Sequence, residues 1–85
     1  MALRAERKNM NKDRRKQIEE VIARLEELTA DIEALQEEEQ EYYDNMPESF
    51  QNSEKGERAQ EAIDAFDEAL SSLEDVISSL ETASE

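Results

Sequence analysis

Cysteine, histidine and tryptophan are absent from this chain of 85 residues, which also has only one glycine and one proline. The absence of cysteine excludes disulfide bonds and thiolate ligands, and the absence of histidine excludes imidazole ligands and the most common catalytic base. A catalytic pair would have to be built from serine, carboxylates and a few lysines. The sequence therefore predicts a non-enzymatic protein with no catalytic residues, no metal site and no cofactor.

The scarcity of glycine and proline favours long helices over a sheet, because a sheet needs several turns. A chain of 85 residues forms one small domain, which buries little apolar surface and usually needs reinforcement. Oligomerisation is the expected reinforcement here. No apolar run approaches the roughly 20 residues that cross a bilayer, and no signal-peptide core is present, so we expect a cytoplasmic protein with no membrane partner.

The apolar residues recur three and four positions apart in two separate series, which is the spacing of an amphipathic helix. Aligned in opposite directions, the two series match at every level, and the residue numbers of each pair add up to 98. This pattern predicts an all-α fold, an antiparallel two-helix coiled-coil hairpin that dimerises into a four-helix bundle. The pairs are Ile18–Leu80, Val21–Ile77, Leu25–Leu73, Leu28–Leu70, Ile32–Phe66 and Leu35–Ile63.

The breaks in this pattern set the expected boundaries. Residues 1–10 form a basic N-terminal extension, with Met10 a second candidate translation start, and the first helix covers 11–43. The alternative is that the basic segment forms the first turns of this helix, which then starts earlier. Pro47 disfavours helix at the residue before it and suits the first turn of a short helical piece, so 44–53 is a connecting loop with one helical turn. Ser53 is the predicted N-cap of the second helix, at 54–85.

Apolar rows beyond the matched stripes predict a homodimer. With Ile18 at heptad position a, the d row of the first helix is expected to face the second helix and contains Val21, Leu28, Leu35 and Tyr42. The second helix has an additional apolar row at position g, and Ile22 lies outside the expected seam of the first helix. The predicted oligomer interface therefore consists of Ile22, Ala62, Ala69 and Val76. Parallel pairing is disfavoured because Glu39 and Ala59, both weak seam residues, meet at one level of an antiparallel hairpin.

Charge is distributed unevenly along the chain, which has a formal net charge of −14. Residues 1–16 have a net charge of +5, and residues 17–85 have 22 acids and a net charge of −19. An acidic face on the first helix can imitate the spaced phosphates of a nucleic acid and bind a basic groove on a partner protein, or it can serve solubility alone. Direct binding of nucleic acid is opposed by the net charge. The predicted partner-binding face consists of Glu19, Glu20, Glu26, Glu27, Glu33, Glu37 and Glu41.

Three smaller features have competing interpretations. The basic residues Arg14, Arg15 and Lys16 are expected beside Glu81 and Glu85, where they neutralise the end of the second helix. The acidic cluster around Glu37 and Glu41 lacks the loop and the histidine of known cation sites, which favours no metal. The hairpin tip either anchors a partner or, as we favour, seals the end of the core, with the tyrosine at position 43 outermost. The predicted tip residues are Tyr43, Met46 and Phe50.

The segment from Glu38 to Glu48, with the sequence EEQEYYDNMPE, is followed by Asn52-Ser53-Glu54 and a helix rich in Glu, Ala, Ile and Leu. From Met10 onward the chain resembles small uncharacterised acidic helical proteins of Gram-positive bacteria and their phages. Its size and acidity are similar to those of phage-encoded inhibitors of bacterial defence systems, a class that includes anti-CRISPR proteins. The resemblance implies a non-enzymatic inhibitor of a defence nuclease that acts by nucleic-acid mimicry in the host cytoplasm. The alternative is a structural or adaptor protein that works through helix–helix oligomerisation.

Overall fold

The computed structural model describes the backbone of residues 2–85 and the side chains of residues 12–85. This part of the chain forms three helices, α1 (Ala2–Asp44), α2 (Glu48–Gln51) and α3 (Glu54–Ala83), and contains no strand. The prediction of an all-α fold is confirmed. Met1, in the predicted N-terminal extension, lies outside the described residues.

The two long helices lie side by side and run in opposite directions. Near one end of the molecule the guanidinium group of Arg15 donates a hydrogen bond of 3.2 Å to the backbone oxygen of Glu85. Closer to the other end, the Gln36 amide donates to the backbone carbonyl of Ile63 over 3.1 Å. Helix α3 therefore runs antiparallel to α1, and the last residues of α3 lie beside the described N-terminal part of α1. The resulting rod measures 71 × 15 × 13 Å along its principal axes.

Helix α1 is longer than predicted, because it begins at Ala2 and includes the segment that the sequence assigns to a basic extension. The segment contains Ala, Leu, Arg, Lys and Glu, which are all good helix formers, and it has no glycine or proline to stop the helix. Since Arg15 already lies beside Glu85, the residues before Asp13 extend past the end of α3. At about 1.5 Å per residue, this extension is roughly 18 Å long.

On α3, the predicted a and d rows face α1. Ala59 and Ile63 are the buried hydrophobic residues of the described chain, with 3% and 8% exposure. The remaining apolar members of these rows are half-buried: Phe66, Leu70, Leu73, Ile77 and Leu80. The core is therefore a thin seam that is best enclosed near the tip, where α2 also packs against α3.

On α1, the orientation differs from the prediction. The d row expected to face α3 stays largely outside the seam, with exposures of 38% for Val21, 51% for Leu28, 50% for Leu35 and 48% for Tyr42. Except for Gln40, the half-buried side chains of α1 instead occupy positions a and e: Ile18, Ile22, Leu25, Thr29, Ile32, Gln36, Glu39 and Tyr43. This stripe corresponds to a turn of α1 about its own axis by roughly 50°, given 100° per residue.

The predicted d row is therefore less enclosed than expected: Val21, Leu28 and Leu35 are exposed, and the side chain of Gln36 donates to the Ile63 carbonyl. The turn is possible because the polar residues that it brings to the seam are satisfied. Thr29 donates its hydroxyl to the Leu25 carbonyl within α1 over 2.8 Å, and Gln36 finds acceptors on α3. Polar groups at a seam are tolerated when they are hydrogen-bonded in this way.

The connection between the long helices is held by backbone and side-chain hydrogen bonds. Helix α1 ends before Pro47, and α2 begins directly after it. The side-chain amide of Gln51 donates to the Tyr43 carbonyl over 3.0 Å, and this bond connects α2 to the end of α1. Ser53 is at the N-cap position of α3, but its hydroxyl donates to the Phe50 carbonyl over 2.6 Å and makes no capping bond.

Gly56, the single glycine, lies at a close approach between α3 and α2. It is buried, and a methyl group at its Cα would overlap the backbone carbonyl group of Gln51. Only hydrogen fits at this point without movement of the backbone. The tight return of the chain into α3 therefore depends on this one residue.

We expect Gly56→Ala to lower the free energy of unfolding by about 1–3 kcal/mol, because the added methyl group has no space. The sign of this change is informative, since alanine in place of glycine inside a helix normally raises the free energy of unfolding by about 1 kcal/mol. Thermal unfolding followed by circular dichroism measures the change. Ser71→Ala, at an exposed position of α3, is the control and should change stability little. A Gly56→Ala variant that is more stable than the parent would contradict the close approach.

Candidate functional site

The predicted acidic face covers the outer side of α1 and extends to one flank of the seam, where Glu33 and Glu37 line a groove with Asp67 of α3. Its residues occupy heptad positions b, c and f, and all seven side chains are exposed: Glu19, Glu20, Glu26, Glu27, Glu33, Glu37 and Glu41. Because they stand on one continuous helix, their spacing is held by backbone hydrogen bonds. The face spans roughly 33 Å at about 1.5 Å per residue.

The whole paired rod has a charge density comparable with that of a nucleic acid. Residues 17–85 contain 22 acids and three basic residues, Arg24, Lys55 and Arg58. Spread over a rod of about 50 Å, this is roughly one carboxylate per 2.3 Å, against about one phosphate per 1.7 Å of duplex axis. The described rod can therefore present an anionic surface to a basic groove along most of its length.

One side of the seam is a polar groove in which Gln36 is central. Its amide donates to the Ile63 carbonyl over 3.1 Å and to the Asp67 carboxylate over 2.7 Å. Glu33, Glu37 and Gln40 line the same groove. Nothing in the heptad pattern singles out Gln36, although a glutamine within an apolar helical stripe is a signal that a polar partner lies opposite.

The hairpin tip forms a second concave surface, lined by Tyr42, Asn45, Met46, Pro47, Phe50 and Lys55. The Phe50 ring is 51% exposed, and the Lys55 ammonium lies 6.0 Å from its centroid, at the outer limit of a cation–π contact. Tyr43, expected to be the outermost aromatic residue, is half-buried, and Tyr42 is the exposed one. The reason is the turn of α1, which brings position 43 toward the seam.

Three of the four predicted oligomer-interface residues share one row of α3, and the fourth, on α1, lies apart from them. Ala69 and Val76 are exposed on α3, and Ala62 is half-buried at the seam edge. Ile22, expected outside the seam of α1, is half-buried in the stripe that faces α3. The exposed apolar row of α1 is instead the d row, from Val21 to Tyr42.

The open end of the hairpin contains four of the described basic residues of α1, from Lys12 to Lys16. Arg14 and Arg15 line a shallow cavity with Ile18, Ala83 and Glu85. The contact of Arg15 is with the backbone oxygen at the end of the chain, where a cation also offsets the negative end of the α3 dipole. This arrangement agrees with the expectation that basic residues lie beside the end of the second helix.

The described part of the chain contains no group of residues suited to a metal ion and no membrane-spanning helix. Its acidic side chains form no cluster of three or more that could hold a metal ion. Within the described residues, no helix combines the length and the apolar character needed to cross a membrane. No protein-family model, curated protein sequence or solved structure matches the chain.

We expect Gln36→Glu to destabilise the pairing of α1 with α3. A carboxylate cannot donate, and it would face both the Ile63 carbonyl and the Asp67 carboxylate. Because the site is partly open to solvent, the free energy of unfolding should fall by only about 1 kcal/mol at neutral pH. Chemical denaturation at pH 7 measures the change.

Gln60→Glu, at an exposed position of α3, is the matched control for the added charge. Equal stability of both variants at pH 7 would show that the Gln36 hydrogen bonds contribute nothing to the pairing.

Proposed function

We propose that this chain is a non-enzymatic acidic helical module that binds a protein partner with a basic surface. The observation that supports the proposal is the set of seven exposed glutamates on one helix, from Glu19 to Glu41. Their spacing is rigid, so the partner meets an ordered anionic surface at little cost in conformational entropy. Coulomb attraction along a rod of this length favours a partner with an elongated basic groove.

A basic groove of that shape is typical of proteins that handle nucleic acids. In its sharper form, the proposal is that the chain is a phage-encoded inhibitor that occupies the nucleic-acid groove of a bacterial defence nuclease in the host cytoplasm. The charge density of the rod, close to that of a duplex, supports this form. The chain then blocks the groove by mimicry and performs no chemistry itself.

A second candidate function rests on a different observation, the exposed d row of α1. Four large apolar side chains in one row are unusual on a surface that meets only water. They favour a structural or adaptor protein that works through helix–helix association, with the coiled-coil hairpin as half of a homodimeric four-helix bundle. The two candidates differ in which face binds the partner.

Charge reversal on the acidic face distinguishes the two candidate functions. We expect the triple variant Glu26→Lys, Glu33→Lys, Glu37→Lys to weaken binding of the partner by at least about 100-fold, because repulsion replaces attraction along the groove. The partner is first captured from a host-cell lysate at graded salt concentrations and identified, and its affinity is then measured by calorimetry. Binding should weaken steeply as the salt concentration rises.

The control is the triple variant Glu61→Lys, Glu68→Lys, Asp75→Lys, which changes the net charge equally on exposed positions of α3. A smaller effect of this control supports a specific face on α1. Circular dichroism checks that both variants stay helical. Unchanged affinity in the α1 variant would contradict the acidic-face proposal, and a partner that duplex DNA and RNA fail to displace would contradict mimicry.

A further inference from the structure

The two flanks of the hairpin seam differ in character. On one flank, Gln36 of α1 reaches Asp67 of α3, and the groove between them is lined by polar and acidic side chains. On the other flank, at the tip, Tyr42 from the d row of α1 and Lys55 from the g row of α3 line one concave surface. These two rows therefore share a side of the hairpin.

Away from the tip, the same side is apolar. It contains the d row of α1 and the g row of α3, and we name these residues the apolar face: Val21, Leu28, Leu35, Tyr42, Ala62, Ala69 and Val76. Val76 is 45% exposed, in addition to the four d-row residues. The acidic face of α1 lies on a different side, so the two surfaces do not compete.

The angle between the apolar face and the seam indicates what kind of structure covers it. At 100° per residue, the d row of α1 lies about 80° from the centre of its stripe facing α3, and the g row of α3 lies about 90° from the stripe facing α1. In a square four-helix bundle, each helix has two neighbours at roughly a right angle. Each helix of this hairpin thus has an apolar row directed at a neighbour that the hairpin does not supply.

The apolar face is also complementary to itself. When the d row is read in reverse, Leu28 meets Leu35 and Val21 meets Tyr42, while on α3 Ala62 meets Ala69. A twofold dimer requires a self-complementary patch of this kind. The face is roughly 32 Å long and 20 Å wide, so two copies bury about 1,200 Å², at the lower end of stable interfaces.

We infer that the apolar face binds a second copy of this chain, with the two hairpins side by side and their tips at opposite ends. The inference rests on the homodimer of the proposed function, and it names the surface and the orientation. On α1, the inferred interface consists of the d row. Ile22, which the sequence predicts there, lies in the seam instead.

The charge distribution determines the orientation. Residues 1–16 have a net charge of +5, whereas the tip of α1 contains Glu37, Glu38, Glu39, Glu41 and Asp44. With tips at the same end, the two basic ends would repel each other, and so would the two acidic tips. With tips at opposite ends, Lys16 of one copy lies level with Pro47 of the other, which places Arg15 and Lys16 near Glu48 of the other copy. This orientation also separates the two basic ends by the length of the bundle, so that they no longer repel each other.

Sedimentation equilibrium of the full chain tests the dimer, whose expected mass is twice the 9.8 kDa of one chain. The double variant Leu28→Gln, Leu35→Gln should raise the dimer Kd by at least about 100-fold, because four leucine side chains per dimer are removed from the interface. Both leucines are half exposed in the hairpin, so the single chain should remain helical.

A second pair of variants controls for an effect of the leucine substitutions on folding. Ala69→Glu places a carboxylate on the apolar face, and Ala30→Glu places the same group at an exposed position on the outer side of α1. The first should dissociate the dimer and the second should leave it intact. A monomeric parent chain, or a dimer that survives both Ala69→Glu and the leucine variant, would overturn the inference. Neither result would affect binding of a basic partner by the acidic face, which the charge-reversal variants test separately.

Orientation is measured with one spin label. The chain has no cysteine, so Ser49→Cys at the exposed tip gives a single site for the label. With tips at opposite ends, the two labels lie about 50 Å apart, and with tips at the same end they lie roughly 20–30 Å apart. A distance in the shorter range from pulsed electron resonance would overturn the orientation.

Discussion

The packing of α1 against α3 is the interaction on which the other features of this protein depend. Two rods of this length share a seam in which only Ala59 and Ile63 are well enclosed, and the remaining apolar residues are half-buried. At about 25 cal/mol per Å² of apolar surface, such a seam contributes modestly to stability. The hydrogen bonds of Gln36 and the close approach of Gly56 to Gln51 therefore matter more here than in a thick core.

The seam also divides the surface of the hairpin into regions of different chemistry. The outer side of α1 presents rigidly spaced carboxylates, one flank of the seam is polar, and the other flank is apolar. Because these regions point in different directions, the proposed second copy and the proposed basic partner would not compete for one surface. In the proposed dimer, two acidic faces would stand on opposite sides of one bundle, which makes the assembly bivalent toward a basic partner.

Much of the fold follows from local rules that can be applied to the sequence. The short helical piece at Glu48–Gln51 follows Pro47, where the fixed backbone angle of proline suits a helix start. The stripe of α3 is visible because its a and d rows are the only ones with large apolar residues at nearly every level. The stripe of α1 is harder to assign, since the d row is more apolar than the e row that replaces it. A rule based on hydrophobicity alone selects the wrong row.

The sequence by itself determined the helices, the position of the turn and the separation of charge, because propensity, proline geometry and formal charge are properties of neighbouring residues. It also predicted that the seven glutamates of the acidic face are exposed on α1, and all seven are exposed. Only the tertiary structure decided which apolar row of α1 faces α3. The two choices differ by a turn of roughly 50°, and both leave a, the central row, in contact. The choice depends on whether Gln36 finds acceptors on α3, and those acceptors exist only once the two helices have met.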